Sequence, residues 1–345
     1  MLRRNFLAAS LGTMAVGVGV GVGLGGKLNF GSLQPGGQVF TGATLAFGTT
    51  VTVALVHDDA RQAEAAIGDA LDQATQVDRL MSIYSPASQV FQLNRDGVLE
   101  RAHPHLLDVL RYAYALSDMT RGAFDITVQP LWQVFRAAAD GQALPTRRQR
   151  LDAGARVDWR AVTVDGDTVR LGKKGAAITL NGLAQGYAAD LAMAAVRARG
   201  IDHALLNTGE FSARGKKGAL QPWTLGVLDP RDTESLAAVL EVDGRCVATS
   251  GDYASTFTPD FVHHHIFNPA TGDSPQELAS VTVLAPSALQ ADGLSTAFMV
   301  MGACKAHVLA ARLVGVDVMT INKRGVVWKS PTFSLAPRDK TVTSA

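Results

Sequence analysis

A chain of 345 residues, 47% hydrophobic and 18% charged, can bury a large core, which excludes an intrinsically disordered protein. Its formal net charge of +1, with Arg147-Arg148-Gln149-Arg150 as its one basic run, excludes the electrostatic footprint of a nucleic-acid binder. Two cysteines, Cys246 and Cys304, make no CxxC motif and no disulfide framework, and their apolar neighbours predict two buried small hydrophobes.

The chain begins Met1-Leu2-Arg3-Arg4-Asn5-Phe6-Leu7, and residues 8–26 carry no charge and many glycines. Paired arginines before a weakly hydrophobic core read as a twin-arginine export signal, which predicts a periplasmic location. The alternative is a membrane anchor: the run is about long enough to span a bilayer, but its glycines make a poor helix. No clear Ala-x-Ala site follows, which leaves open an uncleaved signal holding the protein at the inner membrane. Residues 1–39 are set aside as signal and linker.

Residues 40–56 alternate apolar residues with threonine and predict a β-rich opening. Residues 60–84 keep helical spacing and end at Ser82 to Pro86; a second helix is predicted over 105–120. Residues 140–158 are polar and basic and predict a surface excursion. Strands at 162–164 and 169–171 flank Asp165-Gly166-Asp167, a hairpin signal. A strand at 176–180, a helix at 183–199 ending at Gly200 and a strand at 203–207 predict a β-α-β-like unit. Strands follow near 223–228, 237–242 and 279–285, helices near 287–302 and 304–314, and strands within 317–328. The mixture predicts an α+β fold.

The helix over 287–302 places Asp292, Ser295 and Thr296 at i, i+3 and i+4, three hard oxygen groups on one face. Such donors suit Mg²⁺, with Mn²⁺ or Ca²⁺ as alternatives, although Ser and Thr in an Ala-rich helix also bond back to the preceding turn. Leu180-Asn181-Gly182-Leu183-Ala184-Gln185-Gly186 joins a predicted strand to a predicted helix, where glycines and a helix start would let backbone amides meet a phosphate. Adjacent side chains alternate in an extended segment, so His263, His264 and His265 cannot converge on one ion, and a single histidine acting as general base is the functional reading. Tyr84, in Met81-Ser82-Ile83-Tyr84, and Asp125, in Ala123-Phe124-Asp125, could stack on a ring and bond its polar edge, or serve as core packing and a helix cap.

Together these segments resemble the ApbE family of FAD:protein FMN transferases. Phe47-Gly48-Thr49 is similar to the family's Met-Gly-Thr opening, Met81 to Tyr84 to its Met-Ser-x-Tyr element, and Ala123-Phe124-Asp125 to its flavin contact. Asn207-Thr208-Gly209-Glu210, Thr249-Ser250-Gly251-Asp252-Tyr253, the segment from His265 to Gly272 and the segment from Ala291 to Thr296 follow in family order. The resemblance implies one large T-fold-related domain over 40–335 with mixed or antiparallel sheets and packed helices, and a tail over 336–345. It implies cleavage of FAD at the pyrophosphate, attachment of FMN to a Thr or Ser hydroxyl of a target protein, and release of AMP. His265 would be the base. Gly182, through its carbonyl, Asp292, Ser295 and Thr296 would hold Mg²⁺. Phe47, Tyr84, Ala123, Phe124, Asp125, Thr179, Gln185 and Ile266 would contact FAD.

The family's Asp-Leu-Gly-Gly-x-Ala-Lys-Gly reads here Thr179-Leu180-Asn181-Gly182-Leu183-Ala184-Gln185-Gly186, so an acid and a lysine are both replaced by neutral groups. That variant on a twin-arginine precursor resembles the NosX branch, which implies the membrane flavoprotein NosR of nitrous oxide respiration as acceptor. The lost lysine also leaves two other readings: a periplasmic flavin carrier that transfers nothing, and an FAD pyrophosphatase that gives FMN and AMP.

Overall fold

The computed structural model describes residues 37–218 and 221–336. The twin-arginine motif, with all of the signal up to residue 36, lies outside the described residues, as does the tail from 337 onward. The β-rich opening is a hairpin of β1 (Gln38–Ala46) and β2 (Thr49–His57), with Ala46 opposite Thr49. Its two-residue turn holds Phe47 at φ 56° and Gly48 at φ 74°. Both values are left-handed, which matches the twist of the strands; glycine adopts it freely, whereas phenylalanine is strained there.

Helix α1 (Ala60–Met81) starts where Asp59 Oδ1 accepts the Arg61 N–H at 2.8 Å. It buries Ala63, Ala66, Ile67, Ala70, Ala74, Val77 and Met81, the spacing of one helical face. Three elements lie outside those predicted: α2 (Gln89–Asp96), the short β3 (Val98–Leu99) and, beyond α3 (Pro104–Met119), α4 (Gln129–Asp140). The predicted excursion over 140–158 contains α5 (Arg147–Gly154), started by a reciprocal capping box between Thr146 and Gln149. The hairpin around Asp165-Gly166-Asp167 is present as β4 (Val162–Asp165) and β5 (Thr168–Leu171), which join β3 in a small sheet.

The expected strand at 176–180 does not form, and the β-α-β-like unit fails with it. This segment pairs with side chains instead of a neighbouring strand. Asn94 Oδ1 accepts the Ile178 N–H at 2.6 Å, Asn94 Nδ2 donates to the Ile178 carbonyl at 2.8 Å, and the Thr179 N–H donates to the Ile126 carbonyl at 2.8 Å. Helix α6 (Ala184–Ala198) follows, and β6 (Ala204–Asn207) pairs antiparallel with β2 and with β7 (Phe211–Arg214).

The chain continues through β8 (Thr224–Leu228), β9 (Leu236–Glu241), β10 (Cys246–Gly251), β11 (Leu278–Ala285), α7 (Ala288–Met301), α8 (Ala303–Ala310), β12 (Asp317–Asn322) and β13 (Val327–Lys329). Among the described residues the main sheet runs β1-β2-β6-β7-β10-β11-β12-β13, and every ladder in it is antiparallel. On one face, Val53, Leu55 and Leu206 pack with α1 and α6, while Val281 and Val283 pack under Leu294, Phe298 and Met299 of α7. On the other face the β8–β9 hairpin lays Leu225, Val227 and Leu240 over Phe211, Val247 and Leu284. Covered on both sides, β11 is buried along its whole length, and it is apolar except for the buried Ser280 and Thr282. Each large side chain buried this way contributes about 1.5–3 kcal/mol. Cys246 is buried as expected, but Cys304 is exposed, because it lies on the outer side of α8.

Candidate active site

Helices α6 and α7 meet at their N-terminal ends. Asp190 of α6 accepts the Ala288 and Leu289 N–H groups at 2.8 and 2.9 Å and so caps α7 from its neighbour. The contact is closest at Gly186, where a Cβ would stand 2.4 Å from the Ala288 oxygen and 2.8 Å from the Asp292 Cβ. One helical turn into α7, Asp292 Oδ2 accepts the Gly186 N–H at 3.0 Å. At the next turn a Cβ on Gly182 would lie 2.9 Å from Thr296 Oγ1. Asp292, Thr296 and the Gly182 turn are therefore brought together, as expected.

Ser295 stands apart from that set. Its hydroxyl donates back to the Asp292 carbonyl at 2.8 Å and meets Ser250 Oγ at 2.7 Å. Ser250, on β10, also reaches Thr296 Oγ1 at 3.2 Å and fixes that hydroxyl at the mouth of the site. The turn at 180–186 also differs from the expected anion cradle. Its amides at Asn181, Leu183, Ala184 and Gly186 donate to Thr179 Oγ1, the Leu180 carbonyl (twice) and Asp292. The glycine at 186 serves helix packing, and the turn offers a ligand its oxygens more than its N–H groups.

Two carboxylates are buried here, Asp292 at 3% exposure and Glu210 at 8%. Among the described residues neither forms an ion pair. Burial pushes the Asp292 carboxyl up to about 7, with the Asp190 charge adding to the shift and the Gly186 N–H opposing it. Burial, then the Asp292 charge, holds Glu210 well above the usual carboxylate range, against one bond from the Thr249 N–H at 3.2 Å. The Tyr112 hydroxyl is buried without a partner and is raised by burial and then by Asp292 and Asp190. The charged form of each carboxyl thus lacks a counterion here, and a bound cation would supply one.

Among the described residues no three His, Cys, Asp or Glu side chains gather in ligand geometry, so a cation here would rest on one carboxylate plus hydroxyl and carbonyl oxygens. That donor set fits a hard ion that keeps part of its water shell, as Mg²⁺ does.

The three histidines of the β10–β11 connection have three environments. His263 Nδ1 pairs with Asp273 Oδ1 at 2.8 Å, and Asp273 pairs with Arg150. His264 is fully buried, its Nε2 bonded to the Pro275 carbonyl at 3.2 Å, and burial lowers it to about 3, so it stays neutral. His265 is half-buried; its backbone N–H and its Nδ1 both meet the Ser255 carbonyl, at 3.0 and 3.1 Å. A carbonyl only accepts, so Nδ1 carries the proton and Nε2 presents a lone pair. Desolvation lowers His265 below the usual imidazole value, opposed by the Ser255 bond and the Asp252 charge. Only His265 of the three has the form of a free base.

The residues expected around a flavin are placed unevenly. Tyr84 is 64% exposed and meets Trp132 of α4 edge-on at 6.3 Å. Phe47 packs against the main core, and Ala123 is half-buried. Phe124 is buried in the core, and Asp125 caps the 3-10 turn Ile126–Val128: its Oδ1 accepts the Thr127 N–H at 2.7 Å and its Oδ2 the Trp159 N–H at 3.1 Å. In the described structure Phe124 packs and Asp125 caps, one of the two readings open at the sequence level, and neither contact bears on the expected flavin contact. Thr179 is joined to Ile126 through its backbone, and Ile266 is buried next to His265 in the chain. Gln185 donates from Nε2 to the Thr208 carbonyl at 2.7 Å, while Thr208 Oγ1 donates to the Gln185 carbonyl at 2.8 Å. Gly209, at φ 101°, leaves room for that amide.

Sequence reasoning quoted Glu210, Ser250 and Asp252 within motif segments but gave none of them an individual role, and it did not name Trp132. A lone glutamate opening an apolar strand, Glu210-Phe211-Ser212-Ala213, was the available signal for the first.

A sequence profile of the ApbE family matches residues 47–320. The FAD:protein FMN transferase of Salmonella typhimurium is 31% identical over 315 residues, 87% of this chain and 89% of its own. The crystal structure of the ApbE protein from Thermotoga maritima superposes with a TM-score of 0.76 at 28% identity, covering 86% of this chain and 98% of that one. The apo flavinyl transferase ApbE of Pseudomonas stutzeri gives 0.74 at 30% identity, covering 85% and 95%. A profile spanning most of the sequence, and crystal structures sharing the sheet and helices just described, lead to one conclusion: the chain belongs to the ApbE family.

Proposed function

We propose that the chain is an FAD:protein FMN transferase that uses Mg²⁺ to cleave FAD and joins FMN through a phosphoester to a Thr or Ser of an acceptor protein, releasing AMP. The observation that carries this reading is the buried, ion-pair-free Asp292 set against Thr296 and Gly182. It is supported by the transferase named among the relatives.

Bound Mg²⁺ supplies charge neutralisation and polarisation of the pyrophosphate oxygens. Asp292, Thr296 and the Gly182 carbonyl would hold it, with Ser250, itself bonded to Ser295, orienting Thr296. The acceptor hydroxyl oxygen bonds to the flavin-side phosphorus as the bond from that phosphorus to the AMP oxygen breaks. The hydroxyl proton passes to His265 Nε2, the nitrogen left free by the Ser255 contact. AMP departs with the bridging oxygen.

A periplasmic location reached by the twin-arginine route, and NosR as acceptor, remain part of the proposal on the strength of the leader and the Asn181-Gly182-Leu183-Ala184-Gln185-Gly186 variant. Incubation with FAD, Mg²⁺ and a Thr-bearing acceptor domain tests the activity. Flavin fluorescence that stays on the acceptor through denaturing electrophoresis is expected. Tight FAD binding without transfer indicates the carrier reading, and AMP release that does not need the acceptor indicates the pyrophosphatase.

A further inference from the structure

Asp252, at the end of β10, is wholly buried and gripped from two directions. Arg231, from the β8–β9 connection, meets both its oxygens at 2.8 and 2.9 Å, and Lys323, from the β12–β13 turn, lies 3.6 Å from Oδ2. Asp229 adds charge beside Arg231 and Asp260 beside Lys323, and both cations also reach Phe261 at the tip of the following loop. Lys323 Nζ also donates to the Phe261 carbonyl at 2.5 Å, and the Arg231 guanidinium lies 4.5 Å from the centre of the Phe261 ring. Phe261 holds φ 60°, a conformation a phenylalanine keeps only where its surroundings enforce it. The two cations thus tie the first residue of the 252–265 loop to its far tip. Within the loop, Phe257 N–H donates to the His263 carbonyl at 2.7 Å, and Ser255 holds His265 by backbone and ring.

We propose that Arg231, Lys323 and Asp252 form a clamp of positioning residues that sets the direction of His265 Nε2. The proposal rests on His265 being the base. Catalysis needs that nitrogen within hydrogen-bond reach of the acceptor hydroxyl, and a displacement on the order of 1 Å costs on the order of 100-fold in rate. The clamp touches neither FAD donor set nor metal donor set, so its loss moves turnover and spares FAD binding.

The test uses the full chain carrying Lys323→Met, in which Arg231 still neutralises Asp252, with His265→Ala measured alongside. The expected result is a fall in kcat of about 10- to 100-fold with KM for FAD held within about twofold. Hydrogen exchange should show faster exchange at the Phe257 and His265 amides and no change in the β10–β11 ladder. Arg231→Lys, which keeps the charge but loses the bidentate grip, should act in the same direction if Lys323→Met does not fold. An unchanged kcat, or unchanged protection of the Phe257 and His265 amides, overturns the clamp while leaving the transferase reading intact. A wild-type rate in His265→Ala overturns the base assignment, and the clamp with it.

Discussion

In the proposed reaction His265 and Asp292 would take different parts, set by their surroundings. The Ser255 carbonyl fixes the tautomer of His265, and desolvation keeps the ring neutral below the ordinary imidazole range. The acid limb of the kcat profile should therefore fall below pH of about 6.5, the usual histidine value; a limb above it would assign the base elsewhere. His265→Ala should lower transfer by about 10²–10⁴-fold, the usual contribution of a general base, with FAD affinity measured by flavin fluorescence nearly unchanged. Asp292, raised to about 7, would exchange a proton for a cation under the proposed function. Calorimetric titration should thus show Mg²⁺ binding more tightly at pH 8 than at pH 6, and Asp292→Asn should abolish the response at both.

The Asp292–Thr296 face was legible because helical periodicity alone places those side chains together. Glu210 was not: what it faces, Asp292 and the Thr249 amide, lies far along the sequence and meets it only once the sheet is built. Asp125 offered both a flavin contact and a cap, and only the Thr127 and Trp159 bonds show which groups its oxygens meet.

At the level of elements, the site depends on how closely α6 approaches α7. A methyl at Gly186 would meet the Ala288 backbone at 2.4 Å, and backbone cannot move aside as a flexible side chain can. Gly186→Ala should cost about 1–3 kcal/mol in urea unfolding and also weaken cation binding, since it separates the Gly182 turn from Thr296. Asn94 matters for a different reason: its amide replaces a missing strand partner for Ile178. Asn94→Ala would strand the Ile178 N–H and carbonyl, at a cost of roughly 1–3 kcal/mol by the same measurement.

Helices α1 and α3 were readable from the sequence because each shows an apolar stripe. Residues 176–180 misled because four apolar residues around Thr179 read as a strand whether the partner is another strand or, as here, Asn94 and the Ile126 carbonyl. Helix α5 was hidden by a polar, basic composition and is marked only by its Thr146–Gln149 box.

Across the whole molecule, the sheet acts as a rigid platform that brings β6, β7 and β10 beneath α6 and α7, and the acidic pocket lies at that junction. Its charge links stability to pH. Asp292 has a folded value near 7, above its unfolded value of about 3.9, so its stabilising share is complete below about pH 4 and is lost as pH rises through about 7. A cation reverses that loss, and at 100 times its Kd would return about 2.7 kcal/mol. Thermal unfolding in EDTA and in Mg²⁺ should therefore differ more at pH 8 than at pH 5.5.

The most direct measurement is a crystal structure with FAD and Mn²⁺, located by anomalous scattering. The account predicts an ion bonded to an Asp292 oxygen and to Thr296 and bridging to the FAD phosphates, with His265 Nε2 facing the flavin-side phosphorus. An ion bound elsewhere, or FAD seated with its phosphates away from α7, would contradict it.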